Sequence, residues 1–272
     1  MKPKGVILAA GKGSRLAPIT PFLPKEMLPI CGYPAIHHSL FELSEAGVTD
    51  VLVVVSSDKT ALVAYLTEPI VPKGAVATKL TAERDALLSR MRISFVEQKA
   101  QNGTADAILL AEEFMGDAPL VVLYPDDLLT VCGACSDGVN ATRALVHECE
   151  NSKNSAILIS EIPGASAREY GVVNCRPSGD GLRVVSLVEK PRDYAADVAF
   201  ALIGRMILTP RTVHSIHCFD RTDESGIIPV LSHEATRGAL TAVRYFGRRY
   251  DVGSHKGYAS AMQELQRYSF RD

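Results

Sequence analysis

The most constraining feature of this 272-residue chain lies in its first thirty residues, where an apolar run leads directly into a glycine-rich turn. Val6–Ala10 predicts a short buried strand, and the sequence GKGSR follows it at residues 11–15. Two glycines let the backbone curl so that several N–H groups face one point, which makes a nest for an anion. We therefore predict that Gly11, Gly13 and Ser14 bind the phosphates of a nucleotide. Arg15 can add a planar fork of donors that fits phosphate oxygens.

A second cation, Lys25, follows ten residues after this turn. The prolines around it predict a stiff, extended segment, because proline fixes its own backbone and restricts the residue before it. These prolines are Pro18, Pro21, Pro24 and Pro29. A glycine loop with a cation at each end suits a triphosphate, so this stretch is predicted to be a nucleotide site.

Two common phosphate motifs are absent from this stretch. The P-loop pattern requires Gly-Lys-Ser/Thr after its second glycine, whereas Lys12 lies between the two glycines here. The dinucleotide fingerprint G-x-G-x-x-G requires a third glycine where this chain has Leu16.

The first half of the chain alternates between apolar runs and segments with helical spacing. Val51–Val55, Ile93–Val96 and Leu120–Tyr124 are further predicted strands, with helices between them. This alternation predicts an α/β fold with an open, mostly parallel Rossmann-like sheet and helices on both faces. The glycine loop, Gln98 and Asp126 then fall at the carboxyl ends of strands, where such sheets bind ligands.

The second half is less regular, and Phe200–Leu208 is a strand that could return to the main sheet. With no repeat, low-complexity tract or linker in the sequence, we expect one domain over residues 1–272. Its nucleotide-binding half would span about residues 1–130, and its sugar-phosphate-binding half about residues 131–272.

Composition excludes several classes of protein. Hydrophobic residues make up 47% and charged residues 22% of the chain, as in an ordinary globular enzyme. A net charge of −2 argues against nucleic-acid binding. No apolar run is long enough to span a membrane, and the N-terminus lacks a secretory pattern, so we expect a cytoplasmic protein with no membrane partner.

The six cysteines are expected to be free thiols in a chain of this size. Cys132 and Cys135 have C-x-x-C spacing, but no second pair of ligands at matching spacing accompanies them, and we interpret the pair as incidental. The pairs His37-His38 and His214/His217 also lack partner ligands in the sequence, and we place them on helices or at the surface.

The continuation of the glycine loop changes the interpretation of the whole segment. The pattern A-A-G-x-G-[ST]-R-x-x-P-x-T, followed by P-K-E-M-L-P, closely resembles the signature of the sugar-1-phosphate nucleotidyltransferases. Within that family, the sequence KEMLP at residues 25–29 is most similar to the bacterial branch that uses UTP and glucose 1-phosphate. The resemblance extends from Gly5 to about Leu265. It implies transfer of a uridylyl group from UTP to glucose 1-phosphate, which gives UDP-glucose and pyrophosphate.

Such a reaction joins two anions and needs alignment and charge screening more than a strong base. Arg15, Lys25 and, by resemblance, Lys190 are the candidate catalytic residues. Mg²⁺ is the implied cofactor, and it usually takes one or two protein carboxylates together with phosphate oxygens and water. The resemblance implies Asp126 and Asp251 as its ligands, in Pro125-Asp126-Asp127 and Tyr250-Asp251-Val252-Gly253. Asp127 stays open as an alternative to Asp126.

The resemblance also implies the residues that select the two substrates. For the sugar, Glu189 would bind hydroxyl groups, while Gly171 and Gly204 would line the hexose pocket. The uracil edge would meet four further positions, of which Gln98 offers both a donor and an acceptor to a pyrimidine. These four positions are Ala10, Gly11, Gln98 and Gly103.

One departure from the family pattern leaves the base open. Gly103-Thr104-Ala105-Asp106-Ala107 is more similar to the segment in ADP-glucose pyrophosphorylases than to that in the uridylyltransferases. An enzyme of the ADP-glucose or dTDP-glucose type, and a catalytically silent sugar-nucleotide sensor, are therefore alternatives. Because the candidate cations and aspartates are all present, the sequence favours the enzyme. We also expect a homo-oligomer, either a dimer or a tetramer.

Overall fold

The structure, a computed structural model, describes residues 1–130, 140–179, 181–220 and 226–269. The Cys132/Cys135 pair therefore lies outside the described residues. None of the helices in the described ranges is long and apolar enough to cross a membrane. The described cysteines, Cys31, Cys149, Cys175 and Cys218, form no disulfide, as expected.

The strands have the following bounds in chain order: β1 Lys4–Leu8, β2 Pro29–Ile30, β3 Tyr33–Pro34, β4 Asp50–Val55, β5 Arg92–Glu97, β6 Leu120–Leu123, β7 Asp127–Thr130, β8 Ser155–Pro163, β9 Gly171–Ser178, β10 Gly181–Glu189, β11 Val198–Leu208, β12 Leu240–Tyr245 and β13 Arg248–Asp251.

The helices are α1 Ala35–Glu45, α2 Thr60–Thr67, α3 Ala75–Leu88, α4 Thr104–Leu109, α5 Glu112–Met115, α6 Ala141–Ser152, α7 Pro210–Ser215, α8 Ile228–Thr236 and α9 His255–Ser269. Short 3₁₀ turns occur at Ser14–Leu16, Lys25–Met27, Gly164–Glu169 and Ile216–Cys218.

A nine-stranded sheet in the described residues has the order β5-β4-β1-β6-β11-β8-β12-β10-β9. Its first four strands are parallel, as the alternation in the sequence predicts. The predicted return of Phe200–Leu208 to the main sheet is confirmed, since β11 lies between β6 and β8 and is antiparallel to both. β10 is antiparallel to β12 and β9, whereas β8 and β12 are parallel. The sheet is thus mixed in its second half, although most strands still point in one direction.

Helices cover both faces of the sheet, because alternating residues of its central strands present apolar side chains to both faces. Val6 and Leu8 of β1 pack into one apolar cluster, whereas Ile7 and the following Ala9 pack into another on the opposite face. Each of these side chains is nearly fully buried. Parallel strands that are covered on both faces need such continuous apolar runs. The core therefore follows directly from the runs seen in the sequence.

The proline-rich segment after the glycine loop differs from its prediction. It is not extended but folds into consecutive turns, with backbone hydrogen bonds from Ile19 to Leu16 and from Phe22 to Ile19. A further 3₁₀ turn begins at Lys25. Proline tolerates these turns because its fixed φ suits their first positions. The turns return Lys25 to the glycine loop instead of holding it away.

A two-stranded ribbon that the sequence did not indicate completes the frame of the site. β7 and β13 pair antiparallel, with Asp127 directly opposite Asp251. The backbone N–H of Val252 also donates to the carbonyl of Asp126, with an N–O distance of 2.8 Å. The ribbon therefore brings the two predicted aspartate elements together at the carboxyl end of β6.

Candidate active site

The glycine loop after β1 is an exposed turn with a fixed geometry. Gly13 has φ +66°, and a Cβ there would lie 2.8 Å from Cγ2 of Thr20, so this position favours glycine on two counts. The hydroxyl of Thr20 donates to the Gly13 carbonyl at 2.9 Å. Ser14 and Arg15 are exposed, so their side chains are accessible to a ligand.

A buried lysine, Lys59, which was not a predicted site residue, binds the backbone of the glycine loop. Nζ of Lys59 donates to the carbonyl of Gly11 at 2.8 Å and to Oε2 of Glu26 at 2.9 Å. Lys59 is 3% exposed and Glu26 is fully buried. Because Glu26 follows Lys25 directly, this contact fixes both the loop and the lysine beside it. This contact with the loop could not be predicted from the sequence, because Lys59 lies in an ordinary turn between a strand and a helix.

Two ion pairs connect the predicted cations to the predicted metal aspartates. Nζ of Lys25 donates to Oδ2 of Asp126 at 2.7 Å. Arg15 donates through both terminal nitrogens to Asp251, at 2.5 and 3.2 Å, and its Nη2 lies 3.8 Å from Oδ2 of Asp126. These four residues, which are widely separated in the sequence, thus form one charged cluster.

The environment of this cluster stabilises its charged states. Burial by itself raises the pKa of Asp126, but the charge and hydrogen bond of Lys25, with Arg15, hold that pKa below its ordinary value. Burial opposes the charge of Lys25, yet Asp126 and Glu26 raise the pKa of Lys25 above its ordinary value. The hydrogen bond to Asp251 is the main cause of the raised pKa of Arg15. The carboxylate of Asp126 is therefore ionised at neutral pH.

The geometry distinguishes Asp126 from Asp127, which adjacency in the sequence could not. Oδ2 of Asp127 accepts from the backbone N–H of Gly204 at 2.6 Å, and its Oδ1 accepts from Nε of Arg249 at 2.5 Å. Both oxygens of Asp127 thus have protein donors. Asp126 instead faces the cations of the loop and lies beside Asp251.

A cavity of about 700 Å³ opens next to this cluster, a volume suited to a ligand of nucleotide-sugar size. Seven predicted site residues line it: Arg15, Asp126, Gly171, Glu189, Lys190, Gly204 and Asp251. The other predicted residues, which are Ala10, Gly11, Gly13, Ser14, Lys25, Gln98 and Gly103, lie outside its lining. Ser14 and Gly103 precede the lining residues Arg15 and Thr104 in the sequence, and Lys25 contacts the lining residue Asp126.

The predicted sugar residues meet at the ends of β9 and β10. A Cβ on Gly171 would lie 3.0 Å from Oε2 of Glu189, so glycine leaves room for that carboxylate. Nζ of Lys190 lies 3.2 Å from Oε1 of Glu189. Lys190 has φ +44°, a left-handed conformation that is uncommon for a residue with a Cβ. Such backbone strain is concentrated at functional sites.

The predicted base residues form a separate group at the start of α4. The side-chain amide nitrogen of Gln98 donates to the Gly103 carbonyl and to Oδ2 of Asp106, both at 3.0 Å. Gln98 is buried, and Gly103 has φ +96°. The amide nitrogen, which was predicted to meet a base, therefore binds the protein itself, and within the described residues the amide oxygen is the group available to a base. At Ala10, the predicted base residue after β1, the backbone carbonyl accepts hydrogen bonds from the side chains of Ser56 and Gln101.

Several residues that line the cavity were not predicted to belong to the site. Arg249 stacks over the ring of Tyr170, with its guanidinium carbon 4.9 Å from the ring centroid, while it pairs with Asp127. Tyr124 lies between the two halves of the site, and burial raises the pKa of its hydroxyl to about 12. Ile227 and Ile228, at the start of α8, supply an apolar wall. The position of Tyr124, two residues before Asp126, is the one hint that the sequence offered.

The side chains around the cavity carry more negative than positive charge, although its cations suit an anionic ligand. Among the described residues, five carboxylates line the cavity but three cationic side chains do, namely Arg15, Lys190 and Arg249. A Cβ on Gly253 would lie 2.4 Å from Oδ2 of Asp126 and 3.1 Å from Oδ1 of Asp251, so these oxygens share one small space. Paired carboxylate oxygens of this kind are the protein ligands that Mg²⁺ prefers. The residues present therefore fit a divalent cation.

A glycine loop at the carboxyl ends of parallel strands, with cations and paired carboxylates facing one cavity, defines a nucleotide-binding α/β enzyme. The family model described as "Nucleotidyl transferase" matches residues 4–267, and this chain belongs to that family. The family resemblance of the first thirty residues is thereby confirmed, together with the α/β fold and the assignment as an enzyme.

The chain is similar to relatives over nearly its whole length. A Bacillus subtilis (strain 168) protein, provisionally named a UTP–glucose-1-phosphate uridylyltransferase, is 32% identical over 97% of this chain and 97% of its own length. The UTP–glucose-1-phosphate uridylyltransferase of Pseudomonas aeruginosa is 31% identical over 96% of this chain and 95% of its own length. A crystal structure of UDP-glucose pyrophosphorylase complexed with UDP-glucose has a TM-score of 0.87 at 29% identity, and covers 98% of this chain and 99% of that one.

Proposed function

We propose that this protein transfers the uridylyl group of UTP to glucose 1-phosphate, which forms UDP-glucose and releases pyrophosphate. The observation that carries the proposal is the charged cluster in which Lys25 holds Asp126 and Arg15 holds Asp251, beside a cavity lined by Glu189 and Lys190. Two anionic substrates need this combination of cations and carboxylates at one place. We further propose that residues 1–130 bind the nucleotide and residues 131–272 the sugar phosphate, within one domain.

In the proposed reaction, a phosphate oxygen of glucose 1-phosphate attacks the α-phosphorus of UTP. The new phosphorus–oxygen bond forms as the bond to the β-phosphate oxygen breaks, and pyrophosphate leaves with that electron pair. The attacking oxygen is ionised at neutral pH, so no side chain has to remove a proton. Catalysis then depends on alignment and on stabilising charge as it shifts toward the leaving group.

Three cations have positions that suit these tasks. Arg15 presents a planar fork from the glycine loop, and a fork fixes the orientation of phosphate oxygens better than a point charge does. Lys25, held beside Asp126, approaches the same loop from the folded proline segment. Lys190 also lines the cavity, beside Glu189, where it would hold the phosphate of the sugar.

We propose Asp126 and Asp251 as the residues that hold Mg²⁺. Their oxygens share the space beside Gly253, and the excess of carboxylates among the described lining residues favours a cation there. Bound Mg²⁺ would supply screening of the phosphate charges. Arg15 and Lys25, which now pair with these carboxylates, would then be released toward the phosphates.

Substrate selection is assigned to the two ends of the site. The amide oxygen of Gln98 would accept from the imide N–H of uracil, with the Gly103 backbone and the strand end at Ala10 and Gly11 around the ring. Glu189 would accept hydrogen bonds from glucose hydroxyls, while Gly171 and Gly204 admit the ring close to the backbone. The names of the relatives above support UTP over ATP or dTTP, and the retained charged cluster supports an enzyme over a silent sensor.

The remaining parts of the proposal concern the protein as a whole. A cytoplasmic location agrees with the described cysteines, which form no disulfide. The net charge of −2 agrees with a protein that binds neither nucleic acid nor an anionic membrane surface. We also propose a homo-oligomer, either a dimer or a tetramer, which light scattering after gel filtration would test.

The reaction itself is tested by following isotopic label. With glucose 1-phosphate and UTP labelled at the α-phosphate, the label is expected in UDP-glucose, and label at the γ-phosphate is expected in pyrophosphate. Label from the γ-phosphate in a sugar product would mean attack at another phosphorus. Release of inorganic phosphate in place of pyrophosphate would also contradict the proposal.

A further inference from the structure

A group of potential metal ligands lies outside the cavity, on the helical layer formed by α5 and α7. Glu112 is the first residue of α5, His214 belongs to α7, and His217 lies in the 3₁₀ turn that continues α7. Nδ1 of His214 is 3.1 Å from Oε1 of Glu112, and Nε2 of His217 is 2.8 Å from Oε2. The ligand atoms of all three residues lie within 4.8 Å of one another.

The local structure explains why both rings meet one carboxylate. Residues three positions apart share a face of a helix, so His214 and His217 project in the same direction. Their ring centroids are 5.4 Å apart. Glu112 comes from a helix 102 positions earlier in the chain, and only the packing of α5 against α7 brings it under the two rings. The sequence therefore showed a histidine pair without a third ligand, whereas the fold supplies one.

The donor set differs in kind from that of the cavity. Two imidazole nitrogens and a carboxylate match the protein ligands of Zn²⁺ in three-ligand sites, whereas Mg²⁺ prefers oxygen. Ligand atoms around a tetrahedral Zn²⁺ are about 3.4 Å apart, given metal–ligand bonds of about 2.1 Å. The two nitrogen–oxygen distances, 3.1 and 2.8 Å, are near that value, and the half-exposed to exposed side chains can adjust to it. Each ring would bind the metal through the nitrogen that now faces Glu112 and keep its proton on the other nitrogen.

We propose that Glu112, His214 and His217 form a binding site for Zn²⁺ or a chemically similar divalent transition metal. The three residues supply three ligands, and water completes the coordination, because the cluster opens to solvent. A metal ion there links α5 to α7. α7 packs against α4, and α5 follows α4 in the chain; Thr104, the first residue of α4, lines the cavity. A metal ion at this site would stabilise the packing of α5 against α7, and this proposal does not depend on the proposed reaction.

The test measures Zn²⁺ binding to the full chain by calorimetry, in excess Mg²⁺ so that the oxygen ligands of the cavity are occupied. All proteins carry Cys132→Ser and Cys135→Ser, because that pair could itself bind zinc. One Zn²⁺ per chain is expected. His214→Ala, His217→Ala and Glu112→Gln should each weaken binding by about tenfold or more. His147→Ala, an exposed histidine of α6, is the matched control and should bind as the parent does.

A second readout distinguishes a metal site from a change in folding. Co²⁺ in place of Zn²⁺ should give the visible absorption of a four- or five-coordinate ion in the parent and in His147→Ala, and lose it in the three ligand variants. Circular dichroism should be the same for all. The proposal is overturned if the parent binds no Zn²⁺ under these conditions, or if the ligand variants bind it as tightly as the parent does.

Discussion

Arg15 and Asp251 are 236 positions apart in the sequence, yet Nη1 and Nη2 of Arg15 donate to the two carboxylate oxygens of Asp251 at 2.5 and 3.2 Å. This contact joins the loop after the first strand to the last strand before the final helix. Asp126 lies beside the same guanidinium, at 3.8 Å, and is bound by Lys25. The glycine loop and the carboxylates of the site are therefore held in fixed positions relative to each other.

The fork of Arg15 leads to a first prediction, that Arg15→Lys lowers kcat although it keeps the charge. A lysine cannot present two parallel donors, so it aligns the triphosphate less well. Loss of one preorganised stabilising group typically costs about 10²–10³-fold in kcat. Steady-state kinetics, with calorimetry of UTP binding, measures both effects. UTP affinity should change much less than kcat, because the loop N–H groups remain.

Arg92→Lys is the control. Arg92 also pairs with an aspartate, Asp50, but this pair lies at the amino-terminal ends of β4 and β5, away from the carboxyl ends where the site is. This variant should leave kcat unchanged. If Arg15→Lys keeps the parental kcat and loses only UTP affinity, then Arg15 binds ground state and transition state equally, and its catalytic role is wrong.

A second prediction concerns the two carboxylates assigned to Mg²⁺. Asp126→Asn and Asp251→Asn should each lower kcat by about 10²-fold or more, and each should raise the Mg²⁺ concentration needed for half-maximal rate. An amide keeps the shape of the side chain but loses the charge that attracts the cation. Rates measured over a Mg²⁺ titration provide the test. Parental Mg²⁺ dependence in either variant would remove that residue from the ligand set, and full activity in EDTA would remove the metal.

The third prediction is that Lys59→Met destabilises the fold. Burial raises the pKa of Glu26, and Lys59 is the main charge that opposes this rise, so its loss removes the ion-pair partner of a buried carboxylate. Removing one partner of a buried ion pair typically costs about 3–5 kcal/mol of unfolding free energy. Urea denaturation measures the change. Lys99→Met, at an exposed position, should stay within about 0.5 kcal/mol of the parent.

The double variant Lys59→Met/Glu26→Leu gives the decisive comparison for this pair. It should recover part of the lost stability, because no unpaired charge is left in the core. A double variant that is as unstable as the sum of both single changes would show that the two side chains act separately.

A fourth prediction concerns pH and the buried His37 of α1. His37 is 6% exposed, stacks on Tyr33 at 4.1 Å and contacts the Tyr65 hydroxyl at 2.9 Å. Burial lowers its pKa from the ordinary 6.5 to about 4. Between these two values the unfolded chain binds the proton more readily than the folded one. The stability that neutral His37 contributes is therefore complete above pH 6.5 and is lost as pH falls toward 4, by roughly 3 kcal/mol.

His37→Phe removes this titration while it retains the stack on Tyr33. The unfolding free energy of the variant should decline less steeply between pH 6.5 and 4 than that of the parent. The comparison cancels the titration of His38 and the carboxylates, which both proteins share. Parallel curves for the two proteins would contradict the assignment to His37.

The sequence predicted the fold well wherever apolar periodicity dominated. β1, β4, β5 and β6 coincide with the predicted strands within one or two residues, because strands that are buried on both faces leave unambiguous apolar runs. The helices predicted between these strands are also present, and the segment between β5 and β6 contains two of them, α4 and α5. The β7–β13 ribbon was missed, since its pairing is long-range and its strands are too short for a periodic signal.

The residues of the site also divide into those that the sequence could identify and those that it could not. Arg15, Lys25, Asp126 and Asp251 could be named because they stand in compact motifs at the ends of elements. Lys59 and Arg249 could not, because their importance comes only from a partner distant in sequence. The prediction that the proline-rich segment is extended was wrong for a related reason. Prolines restrict single residues, whereas the direction of the chain depends on turns that bring Lys25 back to the glycine loop.

The central claim, that this enzyme joins UTP to glucose 1-phosphate, is tested most directly by internal competition. UTP, ATP and dTTP at equal concentration are incubated with limiting glucose 1-phosphate and Mg²⁺, and the nucleotide sugars are quantified by mass spectrometry at low conversion. The ratio of products then equals the ratio of kcat/KM values for the nucleotides. We expect UDP-glucose to be the main product. A mixture dominated by ADP-glucose or dTDP-glucose would contradict the assignment.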